Sequence, residues 1–141
     1  TPNGIVLNSN TVTGNKTSVT LNDYEEGTWV PTIANGGGAE VCTGTYTRIG
    51  RSVTISGLII FNSQSDTTQL TIQSFPFTVS SNDSARGGIS VGYSTSSTYY
   101  TILMDDDSTE ARVWGQGATG NPTPSSLSGT RVYFGGTYQM D

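Results

Sequence analysis

The sequence contains no histidine and one cysteine, Cys42. Zinc sites and Ser-His or Cys-His nucleophilic catalysis draw on histidine or clustered cysteine, so these chemistries are excluded. A lone cysteine also excludes an intrachain disulfide framework, and Cys42 reads as a small apolar strand residue. Cations are few: Lys+Arg number 6 against 11 Asp+Glu, a net charge of -5 over 141 residues. Scattered cations make no basic face, so nucleic acid is not an expected partner. Long apolar runs are missing. The longest, Leu58-Ile59-Ile60-Phe61, is far short of the ~18 residues of a membrane-spanning helix, and no membrane insertion is expected. Thr1-Pro2-Asn3-Gly4 shows neither the basic nor the apolar region of a signal peptide. Strong helix formers are sparse, and no window places apolar residues at i, i+3, i+4 and i+7 over three turns.

What is abundant is strand chemistry. Ser and Thr make up 41 residues and Gly 18, with Val, Ile and Tyr recurring between Gly, Asn, Asp and Pro punctuation. Between Ser52 and Asn62, Val53, Ile55, Gly57, Ile59 and Phe61 share one face. The other face turns from polar (Ser52, Thr54, Ser56) to apolar (Leu58, Ile60), which predicts burial of both faces at one end. Thr43 to Ile49 alternates before it, and Gly50-Arg51 predicts a tight hairpin turn. Further strands are expected at Gln69–Phe75 and Phe77–Val79, with a bend at Pro76. Ile89, Val91 and Tyr93 alternate onto one face of the next. Tyr99–Met104 and Ala111–Trp114 read as a hairpin tipped by Asp105-Asp106-Asp107. Thr130–Phe134 and Thr137–Met140 flank a break at Gly135-Gly136. Eight to ten short strands fit an all-β, antiparallel β-sandwich or jelly roll. Residues 1–22 differ: two isolated apolar triplets in Asn/Thr/Gly-rich chain predict a short leader or stalk segment. Residues 23–141 then form the sandwich domain.

The stretch Asp23-Tyr24-Glu25-Glu26-Gly27-Thr28-Trp29-Val30-Pro31-Thr32 resembles the "DYEEGTWTPT" motif that opens the C-terminal domain of tail-fibre and tailspike proteins of tailed bacteriophages. Gly44-Thr45-Tyr46-Thr47-Arg48-Ile49-Gly50 is similar to that family's "GxYTKIG" segment, Phe75-Pro76-Phe77 to its "LPF", and Gly129-Thr130 to Tyr138 to its terminal "GTxIxFxGTY". The four keep the family's order from Asp23 to Tyr138, while nothing between Ser80 and Ser128 is similar. The resemblance implies a homotrimeric, jelly-roll-like domain at the tip of a virion tail fibre or tailspike, working outside cells. It implies non-enzymatic attachment to a host receptor, bacterial surface polysaccharide or lipopolysaccharide, with the chain itself as second partner. Tyr24, Trp29, Leu58 and Ile60 are then expected in the core or between subunits. Asp23, Glu25 and Glu26 should pair with Arg48 or Arg51, or face solvent.

Sugars are held by aromatic faces beside carboxylates, amides, hydroxyls and arginine. The neighbourhood richest in these is Tyr99, Tyr100, Asp105, Asp107, Arg112 and Trp114. With Val113 inward, alternation exposes Arg112 and Trp114 together. Asp105-Asp106-Asp107 with Glu110 does not have calcium-loop spacing and reads as a solvated turn, so no metal and no cofactor are expected. Eleven acids always offer a carboxylate pair, so glycoside hydrolysis has no specific signal. Two other functions fit the same residues: a purely structural trimerisation or fibre-capping domain, and a monomeric carbohydrate-binding module.

Overall fold

The computed structural model describes residues 5–6, 20–21, 23–34, 39–117 and 120–141, so most of the expected leader, 1–22, lies outside the described residues. Within that leader, β1 (Ile5–Val6) and β2 (Thr20–Leu21) pair antiparallel with each other, Ile5 opposite Leu21.

The other strands are β3 (Tyr24–Trp29), β4 (Thr32–Ile33), β5 (Ala39–Ile49), β6 (Ser52–Phe61), β7 (Thr71–Gln73), β8 (Gly88–Ser94), β9 (Tyr100–Met104), β10 (Ala111–Gly115) and β11 (Arg131–Gln139). They form one 9-stranded antiparallel sheet in the order β3-β5-β6-β11-β8-β9-β10-β7-β4. Helix among the described residues is confined to short 3-10 turns such as Asp83–Ala85 and Ser125–Leu127. β3 and β4 are consecutive in the chain yet stand at opposite edges of the sheet, joined only by Val30 and Pro31. Three peptide steps span at most ~11 Å. The sheet must therefore curl until its edges meet, giving a half-barrel with an inner, core-bearing face.

The alternation in β6 decides which face is inner: Val53, Ile55, Ile59 and Phe61 are buried, while Ser52, Thr54 and Ser56 are exposed. Trp29, Ile72, Ile102, Val113, Val132, Phe134 and Tyr138 join them from the other strands. The β5–β6 hairpin turns at Gly50, whose φ of 59° needs glycine's freedom. The long segment after β10 folds inward, with Pro122, Pro124 and Leu127 buried and Gly129 N–H donating to Phe61 C=O at 2.9 Å.

Three local expectations are corrected. Phe77–Val79 is not a strand: Val79 N–H bonds Ser108 C=O and Ser80 N–H bonds Gln139 C=O, both at 2.8 Å, outside any ladder. The break at Gly135-Gly136 is absent, because β11 runs through it at the centre of the sheet. Glycine is needed at Gly136 because a Cβ there would lie 2.6 Å from the Gly88 carbonyl oxygen of β8. Tyr93 does not share a face with Ile89 and Val91. The β8–β11 register slips between Tyr133 and Phe134, pairing Phe134 with Val91 but Tyr133 with Tyr93. Gly92 is the extra residue of this β-bulge, and the bulge turns Tyr93 outward.

Candidate functional site

The predicted hairpin exists, with β9 and β10 paired from Tyr100–Gly115 to Met104–Ala111 and the Asp run at its tip. Val113 is fully buried, and Arg112 and Trp114 stand together outside, the guanidinium carbon 6.0 Å from the indole ring centre. Of the remaining residues predicted with them, Asp105 joins Arg112, whereas Tyr99, Tyr100 and Asp107 do not. Tyr100 belongs to the core; its hydroxyl donates to Ser94 Oγ at 2.7 Å, and burial raises its pKa. Its alternation partner on β9, Ile102, is buried as well, so the strand's inward register turns Tyr100 away from Arg112 and Trp114. Tyr99 is 83% exposed but lies beyond the end of β9.

Asp105 is taken up by arginines. Arg112 grips it through Nε at 3.0 Å and Nη2 at 2.8 Å, and Arg86 reaches the same carboxylate at 3.4 Å. The hydrogen bond to Asp105 and its negative charge hold Arg112 still more firmly protonated. Arg86 also pairs with Asp83 at 3.6 Å and Asp106 at 3.5 Å. Asp107 sits at the turn with φ 48°, a left-handed conformation that Asp tolerates. The cluster is an ionic clasp on the hairpin tip. Among the described residues, no group of three or more His, Cys, Asp or Glu side chains is placed to hold a metal ion.

A second site lies on the outer face, where β5, β6, β11 and β8 run side by side. A depression of about 510 Å³ opens there over Gly44, Gly57 and Gly135. Cross-strand register builds its walls: Thr43 faces Leu58, which faces Tyr133, while Thr45 faces Ser56, which faces Gly135 and then Ser90. Thr45 and Ser56 share a hydroxyl hydrogen bond at 2.9 Å. Tyr133 packs on Tyr93, their ring centres 6.1 Å apart. A smaller depression of about 290 Å³ between β8 and β9 also touches Gly92; it is lined by inward-register Val91, Ser94 and Tyr100 together with exposed Tyr93 and Tyr99. No charged side chain lines either depression. The surface can stack an apolar ring face and exchange hydrogen bonds with hydroxyls; its polar side chains are hydroxyls, with no carboxylate among them.

Of the packing residues, Trp29 is in the core, its ring 4.8 Å from that of Phe75 and its Nε1–H donating to Ser56 C=O at 3.3 Å. Leu58 and Ile60 stand half-buried on the outer face, Leu58 in the groove wall. Tyr24 is not packed within the chain. It is 64% exposed beside its cross-strand partner Ile49, and its hydroxyl bonds Glu26 at 2.5 Å, which raises its pKa. Arg48 answers the acidic cluster, reaching Asp23 at 3.2 Å and Glu25 at 3.8 Å, whereas Arg51 pairs with Asp141 at 4.0 Å. Cys42 packs against the core, and burial pushes its thiol pKa up, away from the reactive thiolate.

The groove was missed in the sequence because its residues are scattered from Thr43 to Gly135. Only Tyr133 was accessible to reasoning, since inward Val132 and Phe134 force it outward. Compared with protein families, curated proteins and solved structures, the chain matches none.

Proposed function

We propose that this chain is the attachment domain of a phage tail fibre or tailspike, holding bacterial surface polysaccharide or lipopolysaccharide without cleaving it. The observation that carries the reading is the uncharged outer groove, where Tyr133 and Tyr93 stand beside a floor and walls of glycine, serine and threonine. Tyrosine rings offer flat apolar faces to sugar C–H groups, and hydroxyls both donate to and accept from sugar hydroxyls. The landmarks from Asp23 to Tyr138 support placing such a surface at a fibre tip. In this reading the curled sheet is the sandwich-like, jelly-roll-like head of a homotrimer exposed on the virion. Exposed Tyr24 and Ile49, paired across β3 and β5, supply apolar surface for a neighbouring subunit. Three weak sites on one rigid tip then gain avidity through effective concentration.

The test combines retention on purified polysaccharides and lipopolysaccharides with solution mass by light scattering. A mass three times 14.8 kDa is expected, with retention weakened ~10-fold or more by Tyr133→Ala. Trp114→Ala should leave retention nearly unchanged if the groove, rather than the hairpin face, is the site. Absence of retention on every glycan overturns the reading, and release of reducing ends overturns its non-enzymatic part.

One observation favours a purely structural trimerisation domain instead. Val41, Leu58 and Ile60 put apolar surface on the outer face beside the groove. If a subunit covers that face, Leu58→Asp lowers the solution mass and no glycan is retained. A stable 14.8 kDa species that still retains glycan points to a monomeric carbohydrate-binding module.

A further inference from the structure

We propose that the depression between β8 and β9 is a second carbohydrate site, separate from the outer groove, that takes the terminal residue of an uncharged glycan end-on. The inference rests on the glycan reading above and adds a site of its own to it.

The sheet is split at this point. β8 and β9 pair only at Gly88 with Leu103 and at Ile89 with Ile102. Beyond Ile89, β8 keeps its pairing to β11 as far as Ser94, and β9 keeps its pairing to β10 as far back as Tyr100. Each strand follows its other neighbour, so the ladder between them opens. The bulge at Gly92 falls on this diverging half of β8. The divergence persists into the connecting turn, where Thr95 N–H donates to Arg131 C=O and Gln116 N–H to Tyr99 C=O, both at 3.0 Å. A side-chain bond, from the Tyr100 hydroxyl to Ser94 Oγ at 2.7 Å, crosses the gap at its base. The depression of about 290 Å³ occupies this gap. The Ile89–Ile102 pair closes one end of it. The 95–99 turn closes the other, with Ser96 N–H donating to Ser94 Oγ at 3.0 Å and Thr98 N–H to Ser96 Oγ at 3.2 Å.

Shape and chemistry narrow the occupant. Closure at both ends stops a chain from passing through, whether an extended peptide added to a strand edge or the interior of a polysaccharide. A volume just below the ~300–1,000 Å³ of small-ligand sites leaves room for one sugar residue entering by its end. Seven of the nine lining residues carry a hydroxyl and none is charged. Ser94 Oγ already accepts from Tyr100 and Ser96, so its own O–H is left to donate. Backbone groups on the two unzipped strand edges border the gap and can meet further sugar hydroxyls. Exposed Tyr99 offers a ring face to sugar C–H groups. An acidic sugar would find no cationic partner there, on a chain of net charge -5, whereas a neutral one carries no such cost.

The experiment is calorimetric titration of the full chain with methyl glycosides of neutral sugars (glucose, galactose, mannose and N-acetylglucosamine), with the acidic sugars sialic acid and glucuronate, and with oligosaccharides ending in whichever sugar binds. A neutral monosaccharide should bind, with an affinity insensitive to salt. Tyr99→Ala, at an exposed position outside the core, and Ser94→Ala should each weaken it ~10-fold. The melting temperature of each variant reports its fold. Titration of Tyr133→Ala, which disables the outer groove, isolates the second site: the monosaccharide should still bind, and longer fragments no more tightly. Loss of monosaccharide binding in Tyr133→Ala, or unchanged binding in both Tyr99→Ala and Ser94→Ala, overturns the second site while leaving glycan binding standing. So does an affinity that climbs with fragment length in Tyr133→Ala, or a preference for the acidic sugars. No monosaccharide binding at all also overturns this inference, and with no retention on any surface polysaccharide the glycan reading falls too.

Discussion

Tyr138 shows how a single polar atom is accommodated in this core. Its side chain is 1% exposed, and its hydroxyl is satisfied by the backbone of Phe77, accepting from N–H at 3.2 Å and donating to C=O at 3.1 Å. Burial raises its pKa to about 12, against ~10 for a tyrosine in an unfolded chain. The folded state therefore holds a proton that the unfolded state releases first. That contribution is intact below about pH 10 and is lost as pH rises through about 12. Tyr138→Phe should lower stability at neutral pH by ~1–3 kcal/mol, because both Phe77 groups lose their partner. It should also flatten the alkaline fall in stability. Urea midpoints at neutral and at alkaline pH measure both effects; an equally steep alkaline fall in the variant would assign it to other groups. Trp29 poses the opposite problem, of volume. Its indole occupies the space a side chain at Gly44 would need, so glycine there is a packing requirement, not a turn signal.

At the level of the element, the β9–β10 hairpin is held at its tip by charge. Asp105 bridges Arg112 and Arg86, and Arg86 Nε–H further donates to Met104 C=O at 2.9 Å, tying the segment before β8 to the end of β9. Asp105→Ala leaves two guanidiniums competing for exposed Asp83 and Asp106. The expected loss is ~1–3 kcal/mol, concentrated in faster hydrogen exchange around the 105–110 turn. Exchange unchanged at the turn would make the clasp ornamental. This hairpin was legible in the sequence, as was β6, because both depend on local alternation and a turn. β8 was not. Alternation alone puts Tyr93 beside Val91, and the bulge at Gly92 becomes visible only once β8 is registered against β11, some forty residues on. The same holds for Phe77–Val79, whose apolar pattern is real but whose backbone groups go to the Tyr138 hydroxyl and the Ser108 carbonyl, not to a strand ladder. The candidate site suffered most, since a groove across four strands is a property of register, not of any stretch of sequence.

For the whole molecule, the order of assembly follows from where β11 lies. The strand nearest the C-terminus fills the centre of the sheet, paired to β6 along nine residues and to β8 on its other side. Without it those strands lose their shared partner, and Val132, Phe134 and Tyr138 leave the core. A chain lacking residues 131–141 should therefore not fold, and pairing of such long sequence separation should make folding of the whole chain slow for its size. The other end behaves differently. β1 and β2 form a separate 2-stranded sheet and add no strand to the 9-stranded one. A chain of residues 23–141 should thus keep the denaturant midpoint of the full chain. A clear drop in that midpoint would make the leader part of the folding unit. If the full chain has the proposed trimeric mass, light scattering on the same shortened chain locates the subunit contact. Persistence of the trimeric mass would place it on the sheet domain, with Tyr24→Ser expected to weaken it. Dissociation with an unchanged midpoint would assign assembly to the leader and leave the outer groove free on every head.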